Sequence, residues 1–193
     1  KKSLLNEIRP ISDLDINITS VRQSEAKGLG HAVLQAEKII DGDPFALVLP
    51  DRVMNQKKSN LKSSNLAKMR KDFLKTGFSD ILLEKVPKKK VSLYGIASLD
   101  DNKKIKEKGL IKDIIEKPSP QKAPSNMAVV GRYIFTSEIF QFIAPTTKKI
   151  DKEIEITEAI RKYIRSGRKI NATLLEGECF DCGSKEGYFE AFF

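Results

Sequence analysis

The alternation of short apolar runs with amphipathic stretches constrains the fold of this 193-residue chain most strongly. FALVLP at 45–50 and LIKDIIEKP at 110–118 have the length of strands, whereas NLAKMRKDFLKTG at 65–77 spaces its apolar residues as a helix does. No repeat period accompanies the alternation. The pattern predicts an α/β fold, with one sheet covered by helices on both faces.

Within this pattern, several details of packing can be predicted. The unbroken apolar run FALVLP is typical of a strand covered on both faces. SLYGIASL at 92–99 is also predicted to be a strand. Thr157 is predicted to cap the helix EAIRKYIRSG. In the helix at 65–77 the inward residues are predicted to be Leu66, Met69, Phe73 and Leu74, with Gly77 as its C-terminal stop.

Length and composition limit the class of protein. A chain of 193 residues suits a single domain, and 40% hydrophobic with 32% charged residues is typical of an ordered globular protein. No apolar run approaches the roughly 18 residues of a transmembrane helix, so no membrane association is expected. The opening KKSLLNEIRPISDLD lacks the apolar core of a signal peptide, which predicts a cytoplasmic location.

The net charge of +9 raises the possibility of a nucleic-acid-binding module. The lysine runs, however, lie in stretches rich in Asn, Ser, Pro and Gly, as solvated loops do, and no aromatic residues interleave with them to stack on bases. No nucleic-acid partner is therefore expected. Attraction of anionic small molecules remains consistent with this charge.

The two cysteines, Cys179 and Cys182, form a C-x-x-C pair, and the single histidine is His31. A zinc site would need further ligands that the chain can hardly supply. A redox pair remains an alternative, although Phe180 and Asp181 between the cysteines do not fit a motif that opens a helix. Ordinary thiols are the simpler interpretation.

Polar residues or glycines stand at the ends of four predicted strands, in LVLPD, LYG, IIEKP and CFDCG. Ligands of open α/β sheets bind beyond the carboxyl ends of strands, so Asp51 and Asp181 could together hold Mg²⁺. Each could instead serve as a turn or helix cap. Glu116 could accept from sugar hydroxyls and Lys117 could bind a phosphate, or both could be a solvated strand end. Their side chains point to opposite faces if the strand continues through them.

The stretch VRQSEAKGLGHAV at 21–33 resembles a dinucleotide-binding loop only in part. The fingerprint needs a third glycine where Val33 stands, and no Gly-Lys-Ser or Gly-Lys-Thr sequence for a phosphate loop occurs. A tight turn before a helix is the ordinary reason for such a pair of glycines.

A string of motifs resembles the bacterial UTP-glucose-1-phosphate uridylyltransferases, in the family's order. They are VRQSEAKGLGHAVLQA, LPD, LYG, EKP, APSNMAVVGRYIF, EIEITEAI and FDCGSKEGYFEAF. The resemblance implies a Rossmann-like mixed sheet of the nucleotide-diphospho-sugar transferase type. It also implies Mg²⁺-dependent transfer of a uridylyl group from UTP to glucose 1-phosphate, which gives UDP-glucose and pyrophosphate.

The same resemblance implies roles for individual residues. Gln23 and Gly28 would line the uracil pocket, with the glycine allowing close backbone approach. Asp51 would ligate Mg²⁺, and Asp181 would be a second metal ligand. Four more residues would form the sugar-phosphate site. Gly95 and Glu116 would contact glucose hydroxyls, Lys117 would bind the phosphate, and Gly131 would help shape the sugar pocket.

The family's opening glycine-rich loop, GxGTR followed by proline and lysine, is not found in the sequence, nor is its closing helical segment. The resemblance therefore predicts a nucleotidyltransferase domain over 1–193 that is incomplete at both ends and forms a homo-oligomer when complete. The alternatives are a non-catalytic regulatory homologue or subunit that keeps the pocket, and an enzyme for another sugar phosphate or dTTP.

Overall fold

The computed structural model describes residues 16–55, 63–100, 108–144 and 153–192. The strands are β1 (Phe45–Val48), β2 (Arg52–Asn55), β3 (Ser79–Lys85), β4 (Gly95–Leu99), β5 (Lys108–Glu116), β6 (Met127–Phe135), β7 (Ile170–Leu174) and β8 (Glu178–Asp181). The α-helices are α1 (Leu29–Leu34), α2 (Glu37–Ile40), α3 (Asn65–Thr76), α4 (Phe140–Ile143), α5 (Ile156–Arg165) and α6 (Lys185–Phe192). None of the helices in these ranges is long and apolar enough to cross a membrane.

Six strands form a mixed sheet in the order β1-β6-β3-β7-β5-β4. β3 and β7 run parallel, whereas β6 is antiparallel to both β1 and β3, and β5 is antiparallel to both β4 and β7. β2 and β8 form a separate antiparallel pair. The mixed α/β sheet that the resemblance implies is therefore confirmed.

Helices cover both faces of this sheet, as the alternation of the sequence predicts. Successive residues of β3 point to opposite faces. Ile81 and Leu83 belong to the larger core cluster, which α4 and α5 cover, whereas Leu82 packs with Met69 of α3 on the other face. All three β3 residues are fully buried, so the strand is covered on both faces at its centre.

Two packing predictions are wrong. Ala46 and Val48 of β1 are exposed, Val48 at 47%, so this apolar strand is covered on one face only. Among the described residues it pairs only with β6 and lies at an edge of the sheet. In α3 the C-terminal stop at Gly77 is left-handed as predicted, but Leu74 is 65% exposed while Asp72 is buried. The apolar arc of α3 is narrower than the sequence indicates because the helix meets the sheet along its Met69 side.

The local structure differs from prediction at three further places. Residues Lys88–Leu93 form a 3₁₀ turn, so β4 begins only at Gly95, and the glycine of LYG starts a strand instead of ending one. The predicted helix after the GLG motif breaks into α1 and α2 at residues 35–36. Glu155 is the N-cap of α5, which places Thr157 inside the helix and releases its hydroxyl for a contact elsewhere.

Candidate active site

The pairing of β4 with β5 brings two predicted sugar-site residues together. Gly95 at the start of β4 is the register partner of Glu116 at the end of β5, because the two strands are antiparallel. A Cβ at Gly95 would lie 3.0 Å from Cγ2 of Thr157 and 3.3 Å from Oε2 of Glu116. The same carboxylate oxygen accepts a 3.0 Å hydrogen bond from the Thr157 hydroxyl. Glycine at 95 therefore leaves room for Glu116 to reach α5.

The strand does not continue through Lys117, so the condition for its side chain to lie on the opposite face from Glu116 is not met. β5 ends at Glu116, and Lys117 adopts a left-handed conformation with φ of 41°. Its N–H donates a 3.0 Å hydrogen bond to the carbonyl of Tyr94. The turn brings Nζ to 3.8 Å from Oε1 of Glu116, while the lysine side chain stays 58% exposed. An ammonium and a carboxylate are thus presented side by side to solvent.

A second carboxylate, that of Glu155, lies near this pair. Burial raises its pKa, and the negative charge of Glu116 raises it further, while Lys117 opposes the shift. The phenol of Tyr133 is buried and its pKa is raised by burial, with Glu116 and Glu155 adding to the effect. Negative potential is therefore concentrated around Glu116, as suits a group that accepts hydrogen bonds from hydroxyls.

Asp51 and Asp181 come together through the β2–β8 pair. The register joins Arg52 to Asp181, and the N–H of Cys182 donates a 2.8 Å hydrogen bond to the carbonyl of Asp51. A Cβ at Gly183 would lie 3.2 Å from Oδ1 of Asp181 and 3.3 Å from Oδ2 of Asp51. Both carboxylates therefore border one small space that a glycine leaves open.

This arrangement fits a divalent cation. Hard cations prefer oxygen ligands, and Mg²⁺ is commonly held by one or two carboxylates while phosphates and water complete its shell. Within the described residues no cluster of three or more metal-ligating side chains exists, so a cation here would depend on further oxygen atoms from a substrate or solvent. Asp181 also stabilises the turn that follows β8, because its Oδ1 accepts from the N–H of Gly183 at 3.3 Å.

Sequence reasoning missed Arg52, which connects the two groups of residues. Its Nη2 lies 3.2 Å from Oδ2 of Asp181, and its guanidinium lies 4.9 Å from the centre of the Tyr94 ring. The side chain is only 13% exposed. Tyr94 in turn accepts from the N–H of Lys117, so the carboxylate pair and the sugar-site residues belong to one connected region. The only signal in the sequence is an arginine directly after LPD.

Gly131 lies beside the segment that carries Asp51. It has φ of 73°, and a Cβ there would lie 3.0 Å from the side chain of Leu49. Its carbonyl accepts from the N–H of Leu49 at 3.0 Å. The next residue, Arg132, donates to the carbonyls of Leu49 at 2.8 Å and Arg52 at 2.6 Å. Gly131 and Arg132 thus fix the LPD turn against β6.

The two glycines of the GLG motif make close contact with the segment before α5. A Cβ at Gly28 would lie 2.8 Å from the Ile154 nitrogen, and one at Gly30 would lie 2.7 Å from the Ile154 oxygen. Ile154 also donates to Lys27 at 2.8 Å and accepts from Gly30 at 2.7 Å. The loop with Gln23 and Gly28 is therefore attached to the same segment that supplies Glu155 and Thr157.

Cys179 and Cys182 are free thiols, both half-buried. Burial raises the pKa of the Cys179 thiol, which disfavours the reactive thiolate. These observations favour ordinary thiols over a redox pair.

The mixed α/β sheet and the carboxylate pair of Asp51 and Asp181 define a class of protein. Comparison with known families identifies that class. The nucleotidyl transferase family matches residues 1–193, and the chain belongs to that family.

The curated relatives narrow the resemblance. The chain is 42% identical over 193 residues to a UTP–glucose-1-phosphate uridylyltransferase of Haemophilus ducreyi, covering 100% of this chain and 65% of the relative. It is 38% identical over 196 residues to the Escherichia coli protein of the same name, covering 100% of this chain and 63% of that relative. The chain thus spans about 65% of the length of the H. ducreyi relative and slightly less of the E. coli one.

Solved structures agree. A UDP-glucose pyrophosphorylase complexed with UDP-glucose superposes with a TM-score of 0.88 at 37% identity, covering 98% of this chain and 70% of that one. A UTP-bound enzyme from Acinetobacter baumannii gives a TM-score of 0.84 at 35% identity, covering 98% of this chain and 64% of that one. These comparisons support the family resemblance carried by the sequence motifs.

Proposed function

We propose that this chain carries the sugar-phosphate and metal-binding part of an enzyme that transfers a uridylyl group from UTP to glucose 1-phosphate. The observation that carries the proposal is the placement of Lys117 and Glu116 in one region with the Asp51–Asp181 pair, connected by the Arg52 contact with Tyr94. Relatives at 38–42% identity bear the name of this activity. UDP-glucose and pyrophosphate would be the products, in a cytoplasmic setting.

The charge of each side chain determines the part of the substrate that it would bind. Lys117 would bind the phosphate of glucose 1-phosphate as a point charge, and Glu116 would accept from a glucose hydroxyl. Gly95 would leave space beside the Glu116 carboxylate, and Gly131 supports the LPD turn that carries Asp51. A phosphate oxygen is already ionised at neutral pH, so the chain needs no general base. Its contribution is to orient the attacking oxygen in line with the α-phosphorus of UTP.

Asp51 and Asp181 are the residues that would hold Mg²⁺. When bound, the cation would neutralise charge that develops on the phosphoryl oxygens. Gln23 and Gly28 would contact uracil at the far end of the nucleotide. Their loop is attached to the residue before Glu155, so base recognition and sugar recognition share one structural support. We expect the protein to act as a homo-oligomer.

The experiment is an assay of pyrophosphate release from UTP and glucose 1-phosphate, made on the protein as its gene encodes it, with and without Mg²⁺. Wild type should turn over only with the cation. Asp51→Asn and Lys117→Ala should each lose most activity, on the order of a hundredfold or more. Lys122→Ala, at an exposed lysine five residues beyond Lys117, is the matched control and should retain activity.

Normal turnover in Asp51→Asn or Lys117→Ala would show that the assigned residues are wrong. Binding of UDP-glucose by wild type without any transfer would instead support the non-catalytic homologue. Transfer with dTTP or with another sugar phosphate, but not with UTP and glucose 1-phosphate, would keep the class of reaction and change the substrates.

A further inference from the structure

The carboxamide of Gln23 is held by two contacts from its own loop. Its Nε2 atom donates a 3.2 Å hydrogen bond to the carbonyl of Gly28 and lies 3.0 Å from Nδ1 of His31. Gln23 is half-buried, and among the described residues its other polar atom, Oε1, has no hydrogen-bond partner. These two contacts determine the orientation of the amide.

The contact with Gly28 fixes which end of the amide faces inward. A carbonyl oxygen can only accept, so the nitrogen of the Gln23 amide must face it. That same nitrogen then presents its second hydrogen to Nδ1 of His31, which must carry a lone pair there. The proton of the neutral ring is consequently on Nε2.

A second glutamine amide lies on the other side of the ring and competes for its single acceptor nitrogen. The Nε2 of Gln35 lies 3.3 Å from Nε2 of His31 but donates a 3.1 Å hydrogen bond to the His31 carbonyl. A neutral imidazole has a single acceptor nitrogen, so only one of the two glutamines can donate to the ring. The Gln23 contact is the shorter, so Gln23 donates to Nδ1, and the Gln35 amide donates to the His31 carbonyl instead.

The loop geometry makes this arrangement rigid. The Gly28 carbonyl also accepts from the N–H of Ala32 at 3.2 Å, within the first turn of α1. Gly30 is tied to Ile154 by a 2.7 Å hydrogen bond. The Gly28 carbonyl and the His31 ring are therefore held in fixed positions relative to each other, and the Gln23 amide is clamped between them.

We propose that His31 is a positioning residue that sets base selectivity, by locking Gln23 with its carbonyl oxygen turned outward. Uracil carries an N3–H donor on its pairing edge, whereas cytosine carries an acceptor at N3. An outward Oε1 bonds the former and repels the latter, so the clamp selects uracil over cytosine. This inference rests on the proposed function, because it takes Gln23 to be the residue that meets the base.

The test compares His31→Phe with His31→Asn in the complete gene product. Phenylalanine keeps a ring but has no acceptor, whereas the Oδ1 of asparagine stands where Nδ1 of histidine stood. The measurement is kcat/KM with UTP divided by kcat/KM with CTP. His31→Phe should lower this ratio about three- to tenfold, the effect of one hydrogen bond, and His31→Asn should restore most of it. Gln35→Leu, which touches only the other side of the ring, should leave the ratio unchanged.

A second measurement needs no substrate. Nitrogen NMR of the wild type should show His31 with its proton on Nε2 and the Gln23 amide protons in slow exchange with water. In His31→Phe the Gln23 protons should exchange faster, and in His31→Asn they should not. A proton on Nδ1, or equal exchange in all three proteins, would overturn the clamp.

The two possible failures are distinguishable. If wild type shows no transfer with any nucleoside triphosphate, the proposed function fails and the selectivity role falls with it. If wild type transfers from UTP while His31→Phe keeps the wild-type ratio of UTP to CTP, the role of His31 alone is overturned.

Discussion

The hydroxyl of Thr157 donates a 3.0 Å hydrogen bond to Oε2 of Glu116, across 41 positions of sequence. Thr157 is buried in the first turn of α5, so the bond fixes the carboxylate that is proposed to meet the sugar. Thr157→Val removes the hydroxyl at nearly constant volume. We expect kcat/KM for glucose 1-phosphate to fall roughly tenfold, since the lost bond is to a charged group. Thr157→Ser should keep near-wild-type values, and equal losses in both would contradict this role.

Arg52 places a positive charge 3.2 Å from one of the two carboxylates proposed to hold the cation. Removing Arg52 has two opposing effects on cation binding. Asp181 loses the guanidinium that orients its carboxylate, and the cation is no longer repelled by the positive charge of Arg52. We expect repulsion to be the larger effect, because the Coulomb energy between a largely buried guanidinium and a nearby cation is on the order of a few kcal/mol. Arg52→Met should therefore bind Mn²⁺ about three- to tenfold more tightly in a calorimetric titration without substrate.

The control for this titration is Arg70→Met, which removes the same charge from an exposed position on α3 and should change little. Weaker Mn²⁺ binding by Arg52→Met would mean that orientation of Asp181 by the guanidinium outweighs charge repulsion.

Gly183 leaves open the space between Asp51 and Asp181. A Cβ there would lie within 3.3 Å of an oxygen of each carboxylate, and the backbone at Gly183 does not have positive φ. Gly183→Ala should therefore fold normally but push the carboxylates apart and weaken Mn²⁺ binding, by about tenfold if one ligand is lost. Lys185→Ala, at an exposed position in the first turn of α6, should bind as wild type does. Unchanged affinity in Gly183→Ala would place the cation elsewhere.

The raised pKa of Glu155 predicts a pH-dependent stability. Its causes are burial first and then the charge of Glu116. A carboxyl group that holds its proton more tightly when folded loses stability as pH rises from the ordinary carboxyl range through the raised pKa. Glu155→Gln should therefore have a higher Tm than wild type at pH 7, with the difference shrinking toward pH 4. The exposed Glu190→Gln variant should show no such trend.

Substitutions at two apolar residues of α3, Met69 and Leu74, test how this helix is oriented against the sheet. Met69 is fully buried against the sheet, whereas Leu74 is 65% exposed. Met69→Ala should lower the free energy of unfolding by about 2–5 kcal/mol, while Leu74→Ala should stay within about 0.5 kcal/mol. Urea denaturation followed by circular dichroism measures both. Similar losses would mean that α3 presents a wider apolar face to the core than the structure shows.

Much of the fold could be predicted from local pattern. The strand at 108–116 and the helix at 65–76 follow directly from apolar periodicity and from the stop at Gly77. The motifs LPD, EKP and FDCG also indicated which polar residues to expect at strand ends. These features are local because a few neighbouring residues decide backbone conformation and the spacing of apolar side chains.

The roles of Gly28 and Thr157 could not be predicted in this way. Gly28 resembles the glycine of a phosphate loop, yet the structure packs it against Ile154. Thr157 resembles a helix cap, yet Glu155 occupies that position and frees the hydroxyl for Glu116. In each case the partner is distant in sequence, and no local pattern encodes it.

The sequence by itself therefore determined the kinds of element, their order and the residue types available for chemistry. Only the tertiary structure decided that Arg52 joins Asp181 to Tyr94, that Lys117 turns back beside Glu116, and that β1 lies at an edge of the described sheet. The physical reason is that side-chain periodicity depends on neighbouring residues, whereas strand register and the approach of charges depend on packing between segments far apart in the chain.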